Sequence, residues 1–198
     1  AYTCLPALTS GSIDNKYITP NTDSDWINII QDADGNLNVS TPLYNIRFNP
    51  DGSISSLSDS FREWTAGDFN KLHIYQDLPG MYDAWDILPN YKEKEYIWNI
   101  LSPLSTVYIN EFLAEFSVTL STGNSKWTTI IRVFKNSEGI EVEHIADWHE
   151  KHKLVKASFE CNILSRELIC DTSAGYIKRK THKNTTWQQA RFEVCHHK

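Results

Sequence analysis

A chain of 198 residues with 19 basic and 25 acidic side chains has a net charge of −6, spread along its length, which excludes the electrostatic footprint of a nucleic-acid binder. No apolar run approaches a membrane span, and the Ala1-Tyr-Thr3 start has neither the charged nor the apolar region of a signal peptide. A soluble protein with no membrane and no nucleic-acid partner is expected.

Residues 1–36 are polar and turn-rich, like a connecting segment or the first edge strands, and residues 37–198 read as one β-sandwich domain. Leu43-Tyr-Asn-Ile-Arg-Phe48, Asn49-Pro-Asp-Gly52 and Ser53-Ile-Ser-Ser-Leu57 spell strand, turn and strand. Asp77-Leu-Pro-Gly-Met-Tyr-Asp-Ala-Trp-Asp86 gathers carboxylates, a Tyr and a Trp around a Pro-Gly turn signal. That chemistry suits a sugar, because carboxylates accept bonds from neighbouring hydroxyls and aromatic rings offer flat faces to a pyranose. A packed aromatic corner is the competing reading of the same residues. Lys92-Glu-Lys-Glu-Tyr-Ile-Trp98 fits a turn or two of helix.

From about residue 105 onward, apolar and polar residues alternate with period two. The pattern runs through Glu115-Phe-Ser-Val-Thr-Leu120, Trp127-Thr-Thr-Ile-Ile-Arg-Val-Phe134, Ile140-Glu-Val-Glu143, Lys153-Leu-Val-Lys-Ala-Ser-Phe-Glu-Cys161, Glu167-Leu-Ile-Cys170 and Arg191-Phe-Glu-Val-Cys195. Thr122-Gly-Asn124 and Asn136-Ser-Glu-Gly139 supply hairpin chemistry between strands. No window shows a capped amphipathic helix. The class expected is all-β, a large antiparallel sandwich with few or no helices. Within the strand Lys153 to Cys161, Cys161 falls in phase with Val155, Ala157 and Phe159 and is expected to be a small buried hydrophobe. The four cysteines, Cys4, Cys161, Cys170 and Cys195, form no CxxC pair and are read as free thiols. They favour a cytoplasmic address.

Several chemistries find no support. Trp148-His-Glu-Lys-His152 sets His149 and His152 three apart, whereas the zinc-protease pattern needs a four-residue offset. His196 and His197 are adjacent, so in a strand they face opposite ways. A nucleophile elbow G-x-S-x-G and a Gly-rich phosphate loop do not occur in the sequence. Lys178-Arg-Lys180 is a dense basic cluster, of the kind that more often forms a solvated face than a polyanion site. The cluster Lys180-Thr-His-Lys-Asn-Thr-Thr-Trp187 presents His182, Asn184 and Trp187 between strand-like segments, either to a ligand or as a hydrogen-bonded structural loop. Lacking an initiator Met and stopping in mid-pattern at Cys195-His-His-Lys198, the chain is expected to be a piece of a longer polypeptide, truncated at the C-terminal end of its sandwich.

Four stretches in register resemble the glycoside hydrolase family 38 α-mannosidases, in particular the bacterial, fungal vacuolar and cytosolic subgroup. They are Gly52-Ser-Ile-Ser-Ser-Leu-Ser-Asp59, Tyr82-Asp-Ala-Trp-Asp-Ile87, Asp147-Trp-His-Glu-Lys-His-Lys-Leu154, and Thr181-His-Lys-Asn-Thr-Thr-Trp187 with Ala190-Arg-Phe-Glu-Val-Cys-His-His-Lys198. The resemblance covers the chain from about residue 40 and implies a supersandwich of the galactose-mutarotase-like type. It also implies a retaining α-mannosidase whose catalytic carboxylates and zinc ion sit in an amino-terminal barrel that this chain lacks, together with a helical domain. No His-x-Asp pair of the family's zinc site occurs here, so the resemblance assigns no catalytic or metal residue to this chain and implies an inactive fragment. What carries over is a loop that approaches the barrel, with Tyr82, Asp83, Trp85 and Asp86 as contacts to mannose or to the barrel. His182, Asn184, Trp187 and Arg191 are further substrate-contact or docking candidates. A free-standing carbohydrate-binding module is the alternative, and a vacuolar address applies if the source is a fungus.

Overall fold

The computed structural model describes residues 27–78, 80–82 and 87–189, which fall into two compact units, 27–162 and 163–189. Asp83, Trp85, Asp86 and Arg191, like Cys4, Cys195 and the 191–195 strand, lie outside the described residues.

The larger unit is built from strands β1 (Asn28–Gln31), β2 (Leu37–Ser40), β3 (Asn45–Phe48), β4 (Ile54–Ser58), β5 (Thr65–Gln76), β6 (Glu95–Tyr96), β7 (Asn99–Ile109), β8 (Leu113–Thr122), β9 (Ser125–Phe134), β10 (Ile140–Asp147) and β11 (Lys153–Cys161). Every pairing is antiparallel. One sheet runs β1-β2-β3-β4-β5-β11 with β6 also on β5, and a second runs β10-β9-β8-β7. A single 3₁₀ turn, Tyr91–Glu93, precedes β6, where the sequence suggested a short helix.

The sheets share one core, which is what makes the unit a sandwich. In β8 every second residue is buried, so Ala114, Phe116, Val118 and Leu120 face inward, the direct result of the two-residue pleat. They meet Leu37, Val39, Ile46, Phe48 and Ile54 of the other sheet in one cluster with Leu104, Ile131 and Val133. The Phe48 and Phe116 rings stand 5.5 Å apart. Each fully buried side chain of this size contributes about 1.5–3 kcal/mol.

Two irregular positions fix how the sheets meet. At the turn joining β3 to β4, the Gly52 amide donates to the Asn49 carbonyl, and Gly52 has φ +82°. A Cβ there would lie 2.6 Å from Val118 Cγ1 of the facing sheet, so sterics and backbone conformation both demand glycine. In β5, Lys71 pairs with Ser158 and Phe69 with Phe159, which leaves Asn70 as the extra residue of a β-bulge. Its φ of 54° is the left-handed conformation that Asn tolerates better than most residues. The bulge aims the buried Asn70 side chain across the sandwich, where Oδ1 accepts from His144 Nε2 of β10 at 3.1 Å.

The smaller unit holds a hairpin of β12 (Glu167–Thr172) and β13 (Gly175–Lys180), followed by the single-turn helix α1 (Thr186–Gln189). The alternation led us to expect a buried Cys161, and the structure corrects this. Register shifts between Ser158 and Phe159 and again between Phe159 and Cys161 break the two-residue phase, leaving Cys161 half-buried while Cys170 is buried.

Candidate functional site

The segment joining β5 to β6 is anchored at both roots. Asp77 N donates to His152 O at 2.9 Å, and Gln76 N donates to Lys94 O at 2.9 Å. At the descending side Tyr91 packs edge-on against Tyr75 with ring centres 5.1 Å apart, and Lys156 Nζ donates to the Tyr91 hydroxyl at 3.0 Å. His73 bridges the neighbouring strands, its two ring nitrogens 2.7 Å from Glu95 Oε1 and 3.0 Å from Ser158 Oγ. Between these roots the described apolar side chains are open: Tyr82 is 59% exposed and Met81 86%, with Leu78, Ile87 and Leu88 also exposed. The Tyr82 ring is not part of the buried core. Beneath the loop, Gln76, Leu88, Asn90, Tyr91 and Lys94 line a cavity of about 130 Å³. At its root, Asp77 Oδ1 is enclosed without a hydrogen-bond partner among the described residues.

The second cluster lies on the smaller unit. Thr185 and Gln188 form a capping box: Gln188 N donates to Thr185 Oγ1 at 3.2 Å, while Asn184 N and Thr185 N donate to Gln188 Oε1 at 2.9 and 3.2 Å. The T-x-x-Q spacing is the sequence signal for this helix start, and reading the segment as a loop between strands passes over it. His182 and Asn184 are exposed, and Trp187 is 68% exposed. His182 lines a cleft of about 230 Å³ with the β13 cations and Gln188; Asn184 and Trp187 do not line it. Tyr82 belongs to the larger unit, and His182, Asn184 and Trp187 belong to the smaller one.

Two of the four stretches that carry the family resemblance hold the architecture together. In the stretch beginning at Gly52, Ser53 Oγ donates to Asp51 at 2.6 Å and Ser56 Oγ to Glu63 at 2.6 Å, and Asp59 takes the Phe61 and Arg62 amides and the Trp64 indole N–H. Burial alone would raise the Glu63 pKa. Bonds from the Ser56 and Thr65 hydroxyls and the Leu57 and Thr65 amides outweigh it and hold the carboxyl at about 2. In the stretch beginning at Asp147, the His149 amide donates to Ser125 Oγ at 2.7 Å. Glu150 takes the Asn124 amide at 2.9 Å and pairs with Lys153 at 2.7 Å, which lowers its pKa. Trp148 packs tilted against Trp98 and edge-on against Trp127. His149 approaches Asp147 at 2.8 Å, with no third ligand. Among the described residues, no three His, Cys, Asp or Glu side chains converge to hold a metal ion, so the zinc of the resemblance does not fit these residues. None of their helices is long and apolar enough to cross a membrane.

The model of the glycosyl hydrolases family 38 C-terminal domain matches residues 39–198. The chain belongs to glycosyl hydrolase family 38. Similar proteins include Alpha-mannosidase 2C1 of Homo sapiens, 25% identical over an alignment of 185 positions that covers 86% of this chain and 17% of the relative. Alpha-mannosidase G of Dictyostelium discoideum is 30% identical over 184 residues, 84% of this chain and 16% of the relative. Alpha-mannosidase of Saccharomyces cerevisiae is 29% identical over 140 residues, 65% of this chain and 13% of the relative. The chain thus spans about a sixth of the length of the first two of these relatives. The match from residue 39 agrees with the four stretches read in the sequence and with the antiparallel sandwich.

Proposed function

We propose that this chain is the β-sandwich portion of a retaining α-mannosidase that hydrolyses terminal α-D-mannosides, and that it supplies a pocket loop and support to a catalytic barrel and helical domain carried elsewhere in the same polypeptide. The observation that carries this reading is the family 38 C-terminal match across residues 39–198, in a chain that spans 17% of the human relative. On this reading Tyr82, Asp83, Trp85 and Asp86 form one wall of the mannoside pocket, and His182, Asn184, Trp187 and Arg191 contact substrate or the barrel. The zinc ion and both catalytic carboxylates belong to the barrel, and the chain by itself is inactive. Supporting it, the Tyr82 ring stands open on an anchored loop rather than in the core.

The exposed Tyr82 equally suits the second reading, a free-standing carbohydrate-binding module. Calorimetric titration of the chain with mannose separates the two. No heat at millimolar sugar is expected for a pocket wall that needs its barrel, whereas saturable binding lost in Trp85→Ala establishes the module. In the longer polypeptide, Tyr82→Phe is expected to lower kcat/KM for an aryl α-mannoside about tenfold, the loss of one hydrogen bond to a sugar hydroxyl. An unchanged kcat/KM removes Tyr82 from the pocket.

A further inference from the structure

We infer that Ser158, His73 and Glu95 form an acyl-transfer site for small carboxylic esters, with Ser158 as nucleophile, His73 as its general base and Glu95 as the carboxylate that orients the base. This activity is separate from mannoside hydrolysis and uses none of the residues proposed for it. β5 pairs with β11 along one edge and with β6 along the other. Leu72 enters the core, so His73, the next residue, faces away from it and lies across both neighbouring strands. Its Nδ1 is 2.7 Å from Glu95 Oε1 of β6, and its Nε2 is 3.0 Å from Ser158 Oγ of β11. A carboxylate only accepts, so the neutral ring carries its hydrogen on Nδ1 and leaves Nε2 as an acceptor. The Ser158 hydroxyl then donates to Nε2; the other acceptor within its reach, Lys71 O, is at 3.5 Å, the longer and weaker contact. Hydroxyl, imidazole and carboxylate therefore stand in the order of a serine nucleophile and its base, on strands rather than at a nucleophile elbow.

The base is held in place. Besides the bonds at both nitrogens, Tyr75 stacks on the imidazole with ring centres 5.6 Å apart and planes 7° from parallel. Ser158 forms the last regular pair, with Lys71, before the register shift opposite Asn70, and such bulges re-aim the side chains beside them. Ser158 is half-buried and the His73 side chain 24% exposed, so the hydroxyl is partly shielded from water yet open to a small reagent. Lys156, two residues before Ser158 and paired with His73, shares their face and brings a positive charge to the side on which an oxyanion would form. In the reaction, Ser158 Oγ bonds to the ester carbonyl carbon as its proton passes to His73 Nε2, and the carbonyl electron pair moves onto oxygen. Collapse of this adduct breaks the bond to the alcohol, whose oxygen takes the proton from Nε2. Water attacks the resulting acyl-serine in the same way, releasing a carboxylic acid and restoring Ser158.

The test is acylation of the 198-residue chain by 4-nitrophenyl acetate, with the modified residue mapped by peptide mass spectrometry. Ser158 is expected to be acetylated about a hundredfold faster than any other serine, the contribution of one positioned general base. His73→Ala should abolish that preference, and added imidazole should restore it, which a merely structural histidine would not allow. Glu95→Gln, on the two-residue strand β6, should slow acetylation about tenfold or more, and Glu95→Asp should recover part of the rate, because Glu95 acts only by positioning the ring. Circular dichroism of each variant checks that the sandwich is intact. Acetylation spread evenly over the serines, a rate unchanged in His73→Ala or in Glu95→Gln, or failure of imidazole to rescue a folded His73→Ala chain would overturn the site. Mannoside hydrolysis enters none of these measurements, so either reading can fail without the other.

Discussion

At the scale of single residues, the fold depends on a few side chains whose chemistry has no substitute. Gly52 combines a φ of +82° with surroundings in which an added Cβ would lie 2.6 Å from Val118 Cγ1. Gly52→Ala is therefore expected to cost about 2–4 kcal/mol, measured by urea unfolding, because backbone strain and overpacking add. A cost below about 0.5 kcal/mol would mean that the two sheets do not approach here as described. His144 ties β10 to β5 through Asn70 at 3.1 Å, so its Nε2 carries the hydrogen. The Trp127 indole N–H, 3.0 Å from Nδ1, can only donate, and Nδ1 must accept. A proton on Nδ1 would oppose that N–H, and burial lowers the His144 pKa. Since the unfolded chain takes up the proton more readily, the contribution of His144 to stability is complete above about pH 6.5 and declines as pH falls below it. An NMR titration of the His144 ring should give a midpoint below 6.5; a midpoint above it would contradict the neutral bridge.

Elements differ in how plainly the sequence announces them, and the reason is local. β8 reads directly because its alternation is unbroken over ten residues, and in β9 burial alternates from Thr129 to Phe134. β5 is the longest strand, yet it carries no clean period. The Asn70 bulge shifts its phase, and Ile74 and Tyr75 are both buried although adjacent. The same irregularity opposite β5 misled the placement of Cys161. α1 is a single turn, too short to show helical periodicity, and only its capping box marks it. For the strands that do read clearly, the cost of disruption is calculable. Phe116 is fully buried against Phe48, so Phe116→Ala should destabilise the larger unit by about 3–5 kcal/mol. Thermal unfolding followed by circular dichroism checks this, and a shift of only a degree or two would show that β8 does not face the β3 sheet.

On the scale of the whole molecule, family and fold class were legible while the pocket was not. Gly52, Ser53, Asp59 and Glu150 are motif residues whose bonds hold turns together, so the recognisable stretches report architecture more than chemistry. Tyr82 was named from the sequence and stands exposed on an anchored loop. On the proposed reading, its partners in a sugar pocket come from parts of a longer protein, and the chain spans 16–17% of its α-mannosidase relatives. Short-range patterns reveal strands and turns, whereas a pocket assembled from distant segments leaves no such periodicity. The central claim is a division of labour between this sandwich and a barrel. Hydrolysis of an aryl α-mannoside, measured side by side on the 198-residue chain and on the longer polypeptide that contains it, tests that claim most directly. Turnover by the longer polypeptide with none above the uncatalysed rate from the chain is the predicted result, and turnover by the chain alone would contradict it.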